Sequence, residues 1–154
     1  MAEPSAPPEP TAPRRRWMGV LARASAAEIE RCLASLPPQP AHTRLRGPET
    51  GLVMVRGRAG GDGAPFNLGE MTVTRCAVRL PDGRVGHAYV AGRDARQAEL
   101  AALVDALLLD DAARPAVAAA VIEPLAAAQA AHREAEARRA AATRVQFFTM
   151  TQMR

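Results

Sequence analysis

No lysine occurs in this sequence: all 20 basic residues are arginine. That absence excludes a lysine Schiff base and the phosphate-gripping lysine of a P-loop. Aromatic residues are scarce, with one Trp, one Tyr and three Phe among 154 residues. Two cysteines, Cys32 and Cys76, are too few for a disulfide scaffold or a cysteine-based zinc site, and they read as reduced, partly buried thiols. No stretch approaches the ~18 consecutive apolar residues of a membrane span. The opening MAEPSAPPEPTAP is Pro-rich and acidic, the opposite of a signal peptide's basic-then-apolar order, so a cytoplasmic location is expected.

Large apolar side chains are few as well. Alanine, at 35 residues, makes up almost half of the 48% hydrophobic fraction, whereas Leu, Ile, Val and Phe together number 29. That is about 19% of the chain, at the edge of the ~20% below which a chain struggles to hold a core. The formal net charge of only +4 removes the self-repulsion that disorder also requires. One modest domain with thin ends, completed by a partner, is the expectation. Abundant Ala with Arg in place of Lys also fits a GC-rich genome.

The chain reads as α+β in three parts. Residues 1–14 form a Pro-rich leader expected to be disordered. Residues 15–111 form a compact α+β domain. Within it, Trp17, Met18, Val20 and Leu21 lie in a short helical run. Ser25 to Glu28 (SAAE) is a capping box opening a helix in which Ile29, Cys32, Leu33 and Leu36 share one face, with Pro37 and Pro38 as the stop. A turn at residues 47–51 precedes a strand at Leu52–Val55. Two further strands, over residues 70–80 and 84–90, flank the turn Pro81-Asp82-Gly83. The apolar side chains of the longer strand change face near Arg75, which predicts a bulge or burial of both faces. The expected sheet has three to four antiparallel strands. Asp94 with Gln97 caps a helix that buries Leu100, Leu103, Val104, Leu107 and Leu108. Residues 112–154 then form an Ala-rich helical arm, with Val117, Val121, Ile122 and Leu125 on one stripe, followed by an extended aromatic tail.

Constellations that carry chemistry are weak. His42, His87 and His132 lie in different elements at no metal-ligand spacing, so neither a metal site nor a catalytic residue is assigned. The Gly-rich segment 57–69 has no following Lys-Ser/Thr and leads into a strand, so it reads as a connection between strands. Arg75 and Arg93 can bind an anion through their guanidinium forks or can pair with Glu70 and Asp94. The pI of 10.3 raises nucleic acid, but the Arg residues are scattered, aromatics are rare, and residues 97–136 carry seven acids against two Arg. Nucleic-acid binding is therefore not expected. Val145, Phe147, Phe148 and Met150 stand beyond a helix with little to bury, which makes them candidates to anchor in a partner's pocket.

Several separate runs, in order, resemble one family. They are RRWMGVLARASAAEIE, ETGLVMVR, FNLGEMTVTRCAVRLPDGRVGHAYVAGRD (Phe66 to Asp94) and TRVQFFTM. Together they are similar to PhnG, the G subunit of bacterial carbon–phosphorus lyase systems, over about Arg15 to Met150. The resemblance implies a cytoplasmic complex with H, I and J subunits, in which G lies closest to I. It implies support, with the L protein, for transfer of an alkylphosphonate to C1 of the ribose of ATP with release of adenine. ATP would be the co-substrate of the complex, and this chain would hold no cofactor of its own. In the family the nucleosidase chemistry is attributed to I and the carbon–phosphorus bond is broken later by J with its iron–sulfur cluster. No catalytic residue of G carries over. The alternatives are that this chain lends Arg side chains to a shared active site, or that it is a free nucleic-acid binder.

Overall fold

A computed structural model describes residues 11–145. Helix α1 spans Thr11–Leu21 and α2 Ala26–Leu33; strands β1 (Thr43–Arg58), β2 (Pro65–Arg79) and β3 (Val85–Ala91) follow; then come α3 (Ala95–Leu108), α4 (Arg114–Val117) and α5 (Glu123–Ala142). The strands form one antiparallel sheet in the order β1-β2-β3. The fold is α+β, with helices before and after a three-stranded sheet.

The local signals in the sequence explain several boundaries. Ser25 and Glu28 make the reciprocal capping box at the start of α2, which buries Ile29 and Leu33. Asp94 accepts from the Gln97 backbone N–H at 2.9 Å and starts α3. Gly83, at φ 91°, closes the β2–β3 turn where Pro81 sets the preceding bend. Helix α1 begins at Thr11, so residues 11–14 of the expected leader are helical; residues 1–10 lie outside those described.

Two readings of the sheet change. The expected turn at 47–51 is a stretch of β1, which runs continuously from Thr43 to Arg58. Gly47 and Pro48 are absorbed by irregular pairing: Arg46 opposes Ala77 while Glu49 opposes Arg75, so these two residues together face Cys76 alone, and Gly51 pairs regularly with Val73. A bulge is where a strand tolerates Pro and Gly. The face switch near Arg75 reflects this bulge on the neighbouring strand and burial on both faces, since Val73, Thr74, Cys76, Ala77 and Val78 are all buried. The second change is that the Gly-rich segment is mostly strand. β1 extends to Arg58 and β2 starts at Pro65, leaving only six residues to connect them.

Helix α3 is the centre of the molecule. Every residue from Gln97 to Leu108 is buried, because one side lies on β2 and β3 while α1, α2 and α4 pack on the other. The stripe Val117, Val121, Ile122 and Leu125 completes the core. Between α4 and α5, residues Ala118–Ile122 form a single π-helical turn. Pro124, which follows, has no N–H to give the carbonyl four residues earlier, and its ring crowds that carbonyl; a wider turn relieves both. After Leu125 no described residue of α5 is buried.

Gly86 sets the distance between sheet and helix. A Cβ there would stand 2.0 Å from the Ala102 carbonyl oxygen and 2.5 Å from the Ala106 nitrogen. Only a glycine lets the α3 backbone lie this close to β3. Gly86→Ala should therefore lower unfolding free energy in urea by about 1–3 kcal/mol or more. Gly51→Ala, where a Cβ meets nothing within 4 Å, should change it by less than about 0.5 kcal/mol. Equal effects would contradict this packing.

Candidate functional site

The most organised polar cluster is centred on Asp105, which is 0% exposed in the middle of α3. Four donors saturate its carboxylate. Arg14 donates from Nε to Oδ1 at 3.1 Å and from Nη2 to Oδ2 at 2.7 Å; Trp17 Nε1 donates to Oδ1 at 2.8 Å; the His87 backbone N–H donates to Oδ2 at 2.8 Å. A carboxylate so fully occupied by its own chain has no lone pair free for substrate. Its work is to fix α1 and β3 against α3.

A second cluster lies where β1 meets α3. Glu99, nearly buried, accepts both forks of Arg44 at 2.8 Å and lies 3.0 Å from His42 Nε2. The Arg44 hydrogen bond, opposed in part by desolvation and helped by His42, holds the Glu99 carboxyl below its ordinary range. Cys76 lies nearby under β1, and burial pushes its thiol pKa up, which makes it a poor nucleophile. Cys32 is shifted in the same direction by the same cause. Among the described residues no group of three or more His, Cys, Asp or Glu is arranged to hold a metal ion.

The sheet face turned away from α3 is largely open, with Arg79, His87 and Tyr89 exposed along it. Here a shallow cavity of about 300 Å³ is lined by Leu45, Arg46, Arg75, Ala77, His87 and Tyr89. Arg75 does not pair with Glu70. It meets Glu49 at 3.3 Å, and Arg46 reaches the same carboxylate oxygen at 3.4 Å. Tyr89, directly opposite in register, is the largest cause of the raised Arg75 pKa through a side-chain hydrogen bond. Arg93 is not part of this cavity; it is exposed in the connection between β3 and α3. Of the proposed tail anchors, Val145 is exposed, and Phe147, Phe148 and Met150 lie outside the described residues.

What sequence reading missed is the far half of the β1–β2 hairpin. β3 pairs with β2 only from Val73 to Arg79, so the rungs from Leu52↔Thr72 to Arg58↔Pro65 project beyond the third strand. On this two-stranded arm Leu52, Met54, Phe66, Leu68 and Met71 are each between 39% and 62% exposed. The available signal was the alternation Phe66-Asn67-Leu68, hidden in a segment whose glycines suggested a loop.

The family model described as "Phosphonate metabolism protein PhnG" matches residues 12–152. A curated protein of Rhizobium meliloti (strain 1021), described as "Alpha-D-ribose 1-methylphosphonate 5-triphosphate synthase subunit PhnG", is 49% identical over 139 residues, covering 90% of this chain and 88% of the relative.

Two outcomes follow from the clusters. Arg14→Ala leaves Asp105 buried without its ion partner and should cost about 3–5 kcal/mol in equilibrium unfolding. Trp17→Phe, which removes one hydrogen bond to a charged acceptor, should cost about 1.5–3 kcal/mol; no loss in either variant would refute the anchoring role. Glu99 binds its proton less readily folded than unfolded, so its contribution is complete above the unfolded pKa of about 4.5 and is lost as pH falls through the lower folded value. Glu99→Gln should flatten the acid-side decline of Tm in that window, and an unchanged slope would contradict the ion pair's part in it.

Proposed function

The chain belongs to the PhnG family, and from that premise we propose that it acts as a non-catalytic or accessory subunit of a carbon–phosphorus lyase core complex. In that complex an alkylphosphonate is transferred to C1 of the ribose of ATP and adenine is released. The partners are the I, H and J subunits, I being the closest, and ATP is the co-substrate of the complex. The observation that carries this reading is the match of the family over nearly the whole described chain, together with a relative named as a synthase subunit. The site chemistry agrees with it. The most organised carboxylates, Asp105 and Glu99, are both held by arginines of this chain, and both thiols are shifted away from reactivity.

In this role the chain's own residues supply a rigid platform. α3 and its ion pairs hold the sheet, and the sheet presents its open face and the hairpin arm. The tail residues Val145, Phe147, Phe148 and Met150 are a further attachment point in the proposal, because α5 after Leu125 carries no large apolar side chain with which to hold them on this domain. In this proposal the domain of residues 15–111, its core completed by Val117, Val121, Ile122 and Leu125 from the start of the 112–154 arm, does the folding, and the remainder of that arm serves attachment.

A second reading is favoured by the Arg46–Glu49–Arg75 cavity. Two guanidiniums share one carboxylate at 3.3–3.4 Å, and each keeps donors that can fork onto phosphoryl or phosphonyl oxygens. In this version the chain lends Arg75, with Arg93 as the weaker candidate, to an active site completed by a partner.

The readings separate by experiment on the co-expressed complex. Removing residues 143–154 should abolish recovery of the I subunit with this chain; unchanged recovery would sink the tail's role. Arg75→Ala should lower recovery of the complex itself if the role of this residue is structural. Loss of adenine release from an intact complex would establish the shared-site reading instead. The purified single chain should release no adenine from ATP, and robust release would overturn the non-catalytic assignment.

A further inference from the structure

From the geometry of the β1–β2 arm we infer that it inserts into an apolar cleft of a partner subunit and is covered there on both faces. This deepens the reading of the chain as a complex subunit and rests on it. The pairing places Leu52 opposite Thr72 and Met54 opposite Glu70 on the face continuous with the α3 side. Val53 opposes Met71 on the other face, where Val55, Phe66 and Leu68 follow, and Leu68 lies across Gly57, whose added Cβ would meet its Cδ1 at 2.6 Å. Apolar side chains therefore stand on both sides of a two-stranded ribbon that, among the described residues, has no third strand and no helix over it. Such a ribbon is marginal alone in water, and an ordinary surface hairpin turns one polar face to solvent.

The magnitude fits an interface. With a large side chain at on the order of 150–200 Å², the exposed fractions of the five arm residues and of Leu45 and Tyr89 at its root leave roughly 600 Å² of large apolar side chain. The apolar part of one partner's share in a standard-size interface is about 450 Å². The arm and the adjoining sheet face meet that requirement by themselves.

Charge selects the kind of occupant. The open face continuous with the arm carries Arg46, Arg75 and Arg79 against a single carboxylate, Glu49. A second copy pairing by the same face would set guanidiniums against guanidiniums, which costs affinity. The occupant is a different chain, whose apolar cleft is rimmed by carboxylates.

The test uses the full chain co-expressed with the H, I and J subunits. The double variant Met54→Glu/Phe66→Glu changes only exposed positions. It should keep the parent Tm as a single chain and weaken binding of the partner by about 30-fold or more. Arg79→Glu, on the rim, should weaken it less and reduce its salt dependence. Should the double variant lower the Tm of the single chain, Leu68→Ser is read in its place, with the same expected loss. A variant that keeps its Tm and binds like the parent overturns the inference. So does a parent chain that self-associates through the arm, lost in the variant, while the complex still assembles. A parent chain that assembles with no subunit at all sinks the subunit reading itself, an outcome distinct from failure of the arm alone.

Discussion

Burial of a charge is tolerated only when its lone pairs are filled, and Asp105 imposes that condition on three separate parts of the chain. Its position in α3 is surrounded by Leu103, Val104, Leu107 and Leu108, all buried, so water cannot stand in for a missing donor. Arg14 and Trp17 must come from α1, and the His87 N–H must come from the outer side of β3. The first helix, the edge strand and the central helix are thus fixed relative to one another by a single carboxylate. The arrangement also covers an otherwise open backbone donor on an edge strand, a liability that sheets have to manage. Arg114 lies 5.8 Å over the Trp17 ring, so the beginning of the C-terminal helices is tied into the same cluster.

Arginine is suited to this architecture in a way lysine is not. The pairs Arg14–Asp105 and Arg44–Glu99 each use two donors of one planar guanidinium on two oxygens of one carboxylate, a geometry that an ammonium cannot reproduce. In a chain short of large apolar residues, these forks substitute directional contacts for some of the packing that Leu or Phe would supply. Gln97 does similar work with an uncharged amide: it donates to the carbonyls of Ala22 and Ala24 at 3.2 and 2.6 Å, satisfying backbone acceptors left over just past the end of α1.

Local signals were legible where a single side chain acts on its own backbone. The Ser25–Glu28 box, the Asp94 cap and the Pro81-Asp82-Gly83 turn are of this kind, and all appear where the residues indicate. Features set by distant partners were not legible. Gly47, Pro48 and Gly51 read as a turn because a bulge opposite Cys76 depends on the register of another strand. Asp105 sits in an apolar run, LAALVDALLL, and its oddity in that run points to a buried charge; which donors serve it depends on how α1 and β3 pack. The 48% hydrophobic fraction likewise concealed its distribution. The core takes what α3 and its neighbours need, while Leu52, Met54, Phe66 and Leu68 stand outside it.

That allocation bears on how an exposed arm can serve assembly. A ribbon that was free to collapse would have to be ordered at the moment of binding, and the cost of ordering is drawn from affinity. Here the root of the arm is held at several points before any partner arrives. Thr50 and Thr74 hydroxyls meet at 3.2 Å across the strands, Thr74 donates to the Gly92 carbonyl at 2.7 Å, and Glu49 joins Arg46 to Arg75. Beyond the root, a third register shift, between Val55 and Arg56, turns the tip and seats Leu68 over Gly57. Bulges bend a strand and raise its local twist, which sets the direction it takes. The same core that Asp105 organises therefore holds the arm in an extended form, and its unsupported apolar faces are presented rather than merely left over.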